Sequence, residues 1–168
     1  MKIEIDLNVP IYVKKWLFAT QKVNARDAIE LRRDTLIGAT IDLACAVEWT
    51  YQHKIVPSEK LVSVKLLMFS NTKNIGVSNN QKVRVAVVLD RMFRAEVVAF
   101  IRGYLITANE APEDWEGFED SRVQLTKEAR YKRPLVIYRQ KLGIDDEDIE
   151  YDRMRKWFRD ASDLVNSE

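Results

Sequence analysis

At 168 residues the chain can hold one ordinary domain, or a domain with an appendage, and its 46% apolar residues can fill a core, which excludes a wholly disordered protein. A formal net charge of +1 excludes nucleic-acid binding by bulk charge alone, and a single cysteine excludes a disulfide within the chain. No apolar run approaches the roughly 18 residues that a membrane span needs, and the start alternates charged with apolar residues as no signal peptide does, so the reading is a cytoplasmic protein without membrane contact.

Lys2-Ile3-Glu4-Ile5-Asp6-Leu7-Asn8 alternates strictly and predicts a half-buried strand. Pro10 then suits the first turn of a helix, where its missing N–H costs nothing; Tyr12, Val13, Trp16, Leu17 and Thr20 give that helix one apolar side. After a polar link, residues 26 to 52 read as helical, with Ile37, Ile41, Ala44 and Val47 recurring at spacings of three and four and Asp34 as a candidate cap. Leu61 to Phe69 is rich in aliphatic residues and reads as a second strand. Polar residues from Asn71 to Asn80 predict a loop, followed by a long helix from about Gln81 to Ala108; its first half, Val83 to Val88, equally suits a strand.

Ala111-Pro112-Glu113-Asp114-Trp115-Glu116-Gly117 interrupts the pattern. Residues 109–120 read as an acidic connector between a mostly helical α+β core over 1–108 and a C-terminal helical hairpin over 121–168. Ser121 with Gln124 forms a candidate capping box, Pro134 should end or kink the helix it sits in, and a last helix should begin near Asp148 or Ile149. Tyr151, Met154, Phe158, Ala161 and Val165 form its apolar stripe. The expected class is therefore α+β and mostly α: helices, a small two-stranded element and a C-terminal hairpin.

Catalytic machinery is hard to assemble from this inventory. His53 is the sole histidine and Cys45 lies in an apolar run, so zinc or iron would lack good ligands, and the five glycines form no phosphate-binding loop. Asp145, Asp146, Glu147 and Asp148 are the densest carboxylates, but they precede a helix, where the dipole alone favours them. The expectation is a protein that is not an enzyme, with no cofactor, no metal and no small-molecule substrate.

Charge segregation is the more informative signal. Residues 1–108 carry 16 basic and 10 acidic side chains, residues 109–120 carry 6 acidic and no basic ones, and residues 121–141 set 7 basic groups against Glu128 alone. If residues 81–108 are helical, Arg84, Arg91 and Arg102 fall within about 20° of one line, with Arg94 about 80° to one side, a row suited to backbone phosphates. Lys127, Arg130, Lys132, Arg133, Arg139 and Lys141 form a second basic group, and Arg153, Arg155, Lys156 and Arg159 decorate the last helix. Trp115 and Phe118, aromatic residues in the acidic connector, are the candidate anchors for a protein partner.

Two short helices, a glycine-bearing turn and a basic second helix resemble a helix-turn-helix arrangement. The N-terminal third, with Lys2–Asn8 as strand and Pro10–Gln21 and Asp34–Gln52 as helices, resembles the ribbon-helix-helix repressors. That resemblance implies strands paired across a homodimer, with Lys2, Glu4, Asp6 and Asn8 turned outward. The ending, Tyr138-Arg139-Gln140-Lys141-Leu142-Gly143-Ile144 and then Asp148-Ile149-Glu150-Tyr151-Asp152, is similar to hairpins of small bacterial phage and mobile-element proteins, which implies an accessory, DNA-associated role. The leading expectation is a non-enzymatic nucleic-acid-binding accessory protein that holds phosphates through Arg84, Arg91, Arg94 and Arg102 or through Arg153, Arg155, Lys156 and Arg159. The alternative is a protein–protein assembly module without nucleic-acid contact.

Overall fold

A computed structural model describes residues 2–46, 60–69, 77–110 and 127–165. In chain order the elements are β1 (Lys2–Pro10), α1 (Ile11–Thr20), β2 (Lys22–Val23), β3 (Ala28–Leu31), α2 (Leu36–Ala46), β4 (Leu61–Phe69), α3 (Asn79–Glu110), α4 (Lys127–Leu142) and α5 (Tyr151–Val165). The protein is mostly helical, in an α+β arrangement. Two compact units divide the chain, Met1–Phe93 and Arg94–Glu168, so α3 gives its first part to one and its second part to the other. Residues 111–120 of the expected acidic connector, with Trp115 and Phe118, lie outside the described residues, as do Ser121, Gln124 and His53, while Asn109 and Glu110 belong to α3.

The first unit is built on a sheet of order β1-β4-β3-β2. Alternation in β1 sets its register: β1 and β4 run antiparallel from Lys2 opposite Phe69 to Pro10 opposite Leu61. Ile5 meets Leu66 and Leu7 meets Val64, all four buried, while Glu4, Asp6 and Lys65 occupy the other, exposed face. Tyr12, Val13, Trp16 and Leu17 of α1 are buried, as the helical spacing predicted, together with Val85, Leu89 and Phe93 from α3. Phe93 packs against the rings of Tyr12 and Trp16 at centroid distances of 5.1 and 6.0 Å, and the Tyr12 hydroxyl donates to Asp90 Oδ1 at 2.9 Å.

Two strands were not expected. Residues 28–31, where the sequence predicts a helix, instead form β3, parallel to β4 with Ile29 opposite Leu66, and Lys22–Val23 pairs with β3 as β2. The two-stranded element is thus a four-stranded sheet. With three of its four residues buried the strand shows no period-2 alternation, which is why Ala28-Ile29-Glu30-Leu31 reads as a helical start. The β2–β3 turn is held by Asn24, whose Oδ1 accepts from the N–H groups of Arg26 and Ala28, and Asp27 takes φ 54°, a conformation Asp tolerates.

The cap of α2 is Thr35 rather than Asp34. Thr35 Oγ1 accepts from Gly38 N at 3.1 Å, while Asp34 is bound by Arg32, whose guanidinium lowers the carboxyl pKa. Val83–Val88 is helical inside α3. Its β propensity yields to packing, since Val85 and Leu89 lie one turn apart on the buried side.

In the second unit Val97 and Ile101 of α3 are buried, along with Leu135, Tyr138 and Leu142 of α4 and Met154 and Phe158 of α5. Pro134 lies inside α4 and does not end it, since the helix runs on to Leu142. Proline forfeits one i to i−4 hydrogen bond, but Leu135, Tyr138 and Leu142 behind it bury about 1.5–3 kcal/mol of apolar side chain each, which outweighs that loss.

Candidate nucleic-acid interface

The geometry of the C-terminal hairpin follows from its link. α4 ends where Gly143 adopts φ 63°, with Gly143 N donating to Gln140 O and Ile144 N to Arg139 O, the paired bonds of a Schellman cap. Ile144 and Ile149 bury themselves on either side of the acidic turn. Within that turn Asp145 Oδ1 accepts from Glu147 N and Asp148 N, Asp148 Oδ2 accepts from Asp145 N, and Asp146 binds Arg139 Nη2 at 2.8 Å. Arg139 also donates to Ile149 O, tying the end of α4 to the start of α5. Three of the four carboxylates are thus absorbed in shaping the turn. No group of three or more His, Cys, Asp or Glu side chains gathers as a metal site among the described residues.

The structure sorts the eight singled-out cations into different settings. Arg94 stacks over the Trp157 ring at 4.7 Å, and Arg102 donates to Ala161 O at 3.1 Å, so both bind α3 to α5. Arg84 and Arg153 are half-buried, each with interactions of its own. Arg155 lies 3.5 Å from Asp152 and Arg159 lies 3.8 Å from Asp160, so acids on the same helix offset them. Arg91 and Lys156 are exposed and have no ion-pair partner among the described residues. The expected rows therefore do not form one free cationic surface. Arg84 and Arg91 belong to the first unit, and the other six to the second.

A surface whose described residues carry basic and no acidic side chains is on α4. Pro134, Leu135, Tyr138 and Leu142 turn inward, and Tyr138 fixes that orientation. Its ring packs against Phe100 at 5.0 Å and its hydroxyl donates to Glu96 Oε1 at 3.0 Å. Burial, aided by the Glu96 charge, pushes the phenol pKa upward. The opposite side presents Lys132, Arg133, Val136, Ile137, Gln140 and Lys141, all exposed and none acidic. Lys132 and Lys141 have no ion-pair partner among the described residues. From Lys132 to Lys141 the helix rises about 13 Å, the axial length of about four phosphates on one strand of a duplex. The basic run was visible in the sequence; which of its members share the outward face was not, because that depends on the inward anchoring of Tyr138.

Other settings offer less. A groove of about 610 Å³ on the open sheet face is lined by Glu4, Asn24, Ala25, Arg26, Ala28, Lys65 and Leu67, but its central charges, Lys65 and Glu4, already bind each other at 3.0 Å. That bond, with Asp6 adding, raises the Lys65 pKa. Cys45 is half-buried, and desolvation with the nearby Asp42 charge raises its thiol pKa, which disfavours the reactive thiolate. No described helix is long and apolar enough to cross a membrane.

No protein-family model matches the chain, and neither a curated protein nor a solved structure matches it.

Proposed function

We propose that this is a non-enzymatic, cytoplasmic accessory protein that binds nucleic acid through phosphate contacts made by the outer face of α4. The observation that carries the reading is the composition of that face: Lys132, Arg133 and Lys141 with Gln140, no carboxylate among its described side chains, and the neighbouring turn's acids largely engaged elsewhere. Cations and an amide are the side chains that hold phosphate oxygens, and Val136 and Ile137, 37% and 38% exposed, offer apolar contact beside them. Phosphate contact of this kind positions a protein without specifying sequence, which suits an accessory role.

The test is fluorescence anisotropy with random-sequence duplex and single-stranded DNA at about 50 mM salt. Replacing Lys132, Arg133 and Lys141 together by Glu should abolish binding, while Arg91→Glu and Lys156→Glu should weaken it only slightly. Binding that survives the triple change but is lost with Arg91→Glu or Lys156→Glu would move the interface to α3 or α5. The absence of binding by the folded wild type would refute the reading.

A second reading, a protein–protein assembly module, draws on α2. Leu36 and Leu43 are 78% and 64% exposed with Ala39 between them, an outward apolar stripe on an otherwise amphipathic helix. A homodimer through this stripe predicts that Leu36→Lys with Leu43→Lys converts a dimer to a monomer in sedimentation velocity. A wild type that sediments as a monomer at all concentrations would remove this second reading.

A further inference from the structure

The outer edge of β1 is the longest unoccupied hydrogen-bonding surface among the described residues. β1 is the terminal strand of the sheet, and all nine of its residues are in register with β4 on its inner side. In an antiparallel pair every second residue turns its N–H and C=O away from the partner, so β1 offers a row of donors and acceptors outward. Its core-facing side chains, Ile5, Leu7 and Val9, are already buried, at 2%, 1% and 0% exposure. An incoming strand would therefore find backbone and the outer row of side chains, not an open apolar groove.

By alternation that outer row is Lys2, Glu4, Asp6 and Asn8, and the last three are exposed. Glu4 is bound by Lys65. Asp6 stands opposite Lys65 in the register, yet the Lys65 ammonium is drawn to Glu4, which leaves Asp6 with no ion pair among the described residues. The middle of the edge is thus anionic, with its charge outside an ion pair at Asp6. A second copy of the same strand fits it poorly: antiparallel pairing centred on Glu4, Ile5 or Asp6 places carboxylate opposite carboxylate, and like charges directly opposed destabilise a strand pair. A cationic strand meets the opposite situation.

We propose that the free edge of β1 takes up an extended segment of a partner protein, with Lys or Arg at alternate positions, as an additional strand of the sheet. Main-chain hydrogen bonds to β1 hold the segment, and Asp6 and Glu4 select its charge. The inference is independent of the α4 interface.

The experiment uses the full chain and three fluorescein-labelled octapeptides: one alternating Lys and Val, one alternating Glu and Val, and the Lys peptide with alternate amides N-methylated. The Lys peptide should bind, the Glu peptide should not, and N-methylation should remove binding because it deletes the donors. Hydrogen exchange with the Lys peptide should show new protection at alternate amides of Lys2–Pro10. Asp6→Lys should weaken binding about tenfold, and the milder Asp6→Asn by less. The proposal is overturned if the N-methylated peptide binds as well as its parent, if protection falls outside β1, if Asp6→Asn and Asp6→Lys both leave affinity unchanged, or if no peptide binds. It is equally overturned if the free protein sediments as a dimer with the β1 edge already protected.

Discussion

Removing the Tyr138 hydroxyl tests whether α4 is anchored as described. Tyr138 is 3% exposed, and its hydroxyl donates to the Glu96 carboxylate. Glu96 itself is exposed, so water replaces the lost donor, and Tyr138→Phe should cost only about 0.5–1.5 kcal/mol at pH 8. The alkaline limb is more diagnostic. The phenol pKa is raised in the folded protein by burial first and by Glu96 second, whereas the unfolded chain ionises near the ordinary value of 10.0. A group with a raised folded pKa contributes its full stability below the unfolded pKa and loses it as pH rises toward the folded one. Above pH 10 the wild type should therefore lose up to about 1.4 kcal/mol per pH unit through this one residue, and the Phe variant should not. The assay is urea unfolding of both proteins, followed by circular dichroism, at pH 8, 10 and 11. The wild-type advantage should shrink by about 1.4 kcal/mol between pH 8 and pH 11, enough to erase or reverse it. Parallel curves, with a constant difference through pH 11, would show that Tyr138 ionises as readily folded as unfolded and would refute its burial against Glu96.

Three further changes probe the scaffold. Phe93→Ala removes a ring with no solvent exposure from between Tyr12 and Trp16 and should destabilise the first unit by about 3–5 kcal/mol, measured by denaturant midpoint. Gly38→Ala should also destabilise, although alanine favours helices, because a Cβ there would collide with the Arg32 carbonyl oxygen; a thermal midpoint at or above wild type would contradict the close approach. At Gly143, with φ 63°, alanine should cost about 1 kcal/mol and asparagine less, an ordering that thermal melts can check.

What the sequence disclosed follows the range of the interactions involved. Strict alternation in Lys2–Asn8 and the aliphatic run Leu61–Phe69 mark β1 and β4, and helical spacing marks the buried side of α1 and the stripe of α5, where Met154 and Phe158 are buried. β3 escaped notice because its identity depends on a parallel partner more than 30 residues away rather than on local period. At Pro134 the local signal for a helix end yields to packing on the same helix, which continues to Leu142. At the candidate site the basic excess of residues 121–141 was legible, but the division between outward and inward faces was not. Arg94 and Arg102 illustrate the difference, since a helical wheel cannot reveal that Trp157 and the Ala161 carbonyl await them on α5.

The most direct measurement of the central claim is the salt dependence of duplex binding. If Lys132, Arg133 and Lys141 each neutralise one phosphate, the logarithm of affinity should fall against the logarithm of salt with a slope of about −2.7, a loss of about 40-fold between 50 and 200 mM. Replacing the three by Gln should flatten that slope toward zero while the circular dichroism spectrum stays that of the wild type. A steep slope unchanged by the three substitutions, or no measurable affinity at the lowest salt, would contradict phosphate contact by the outer face of α4.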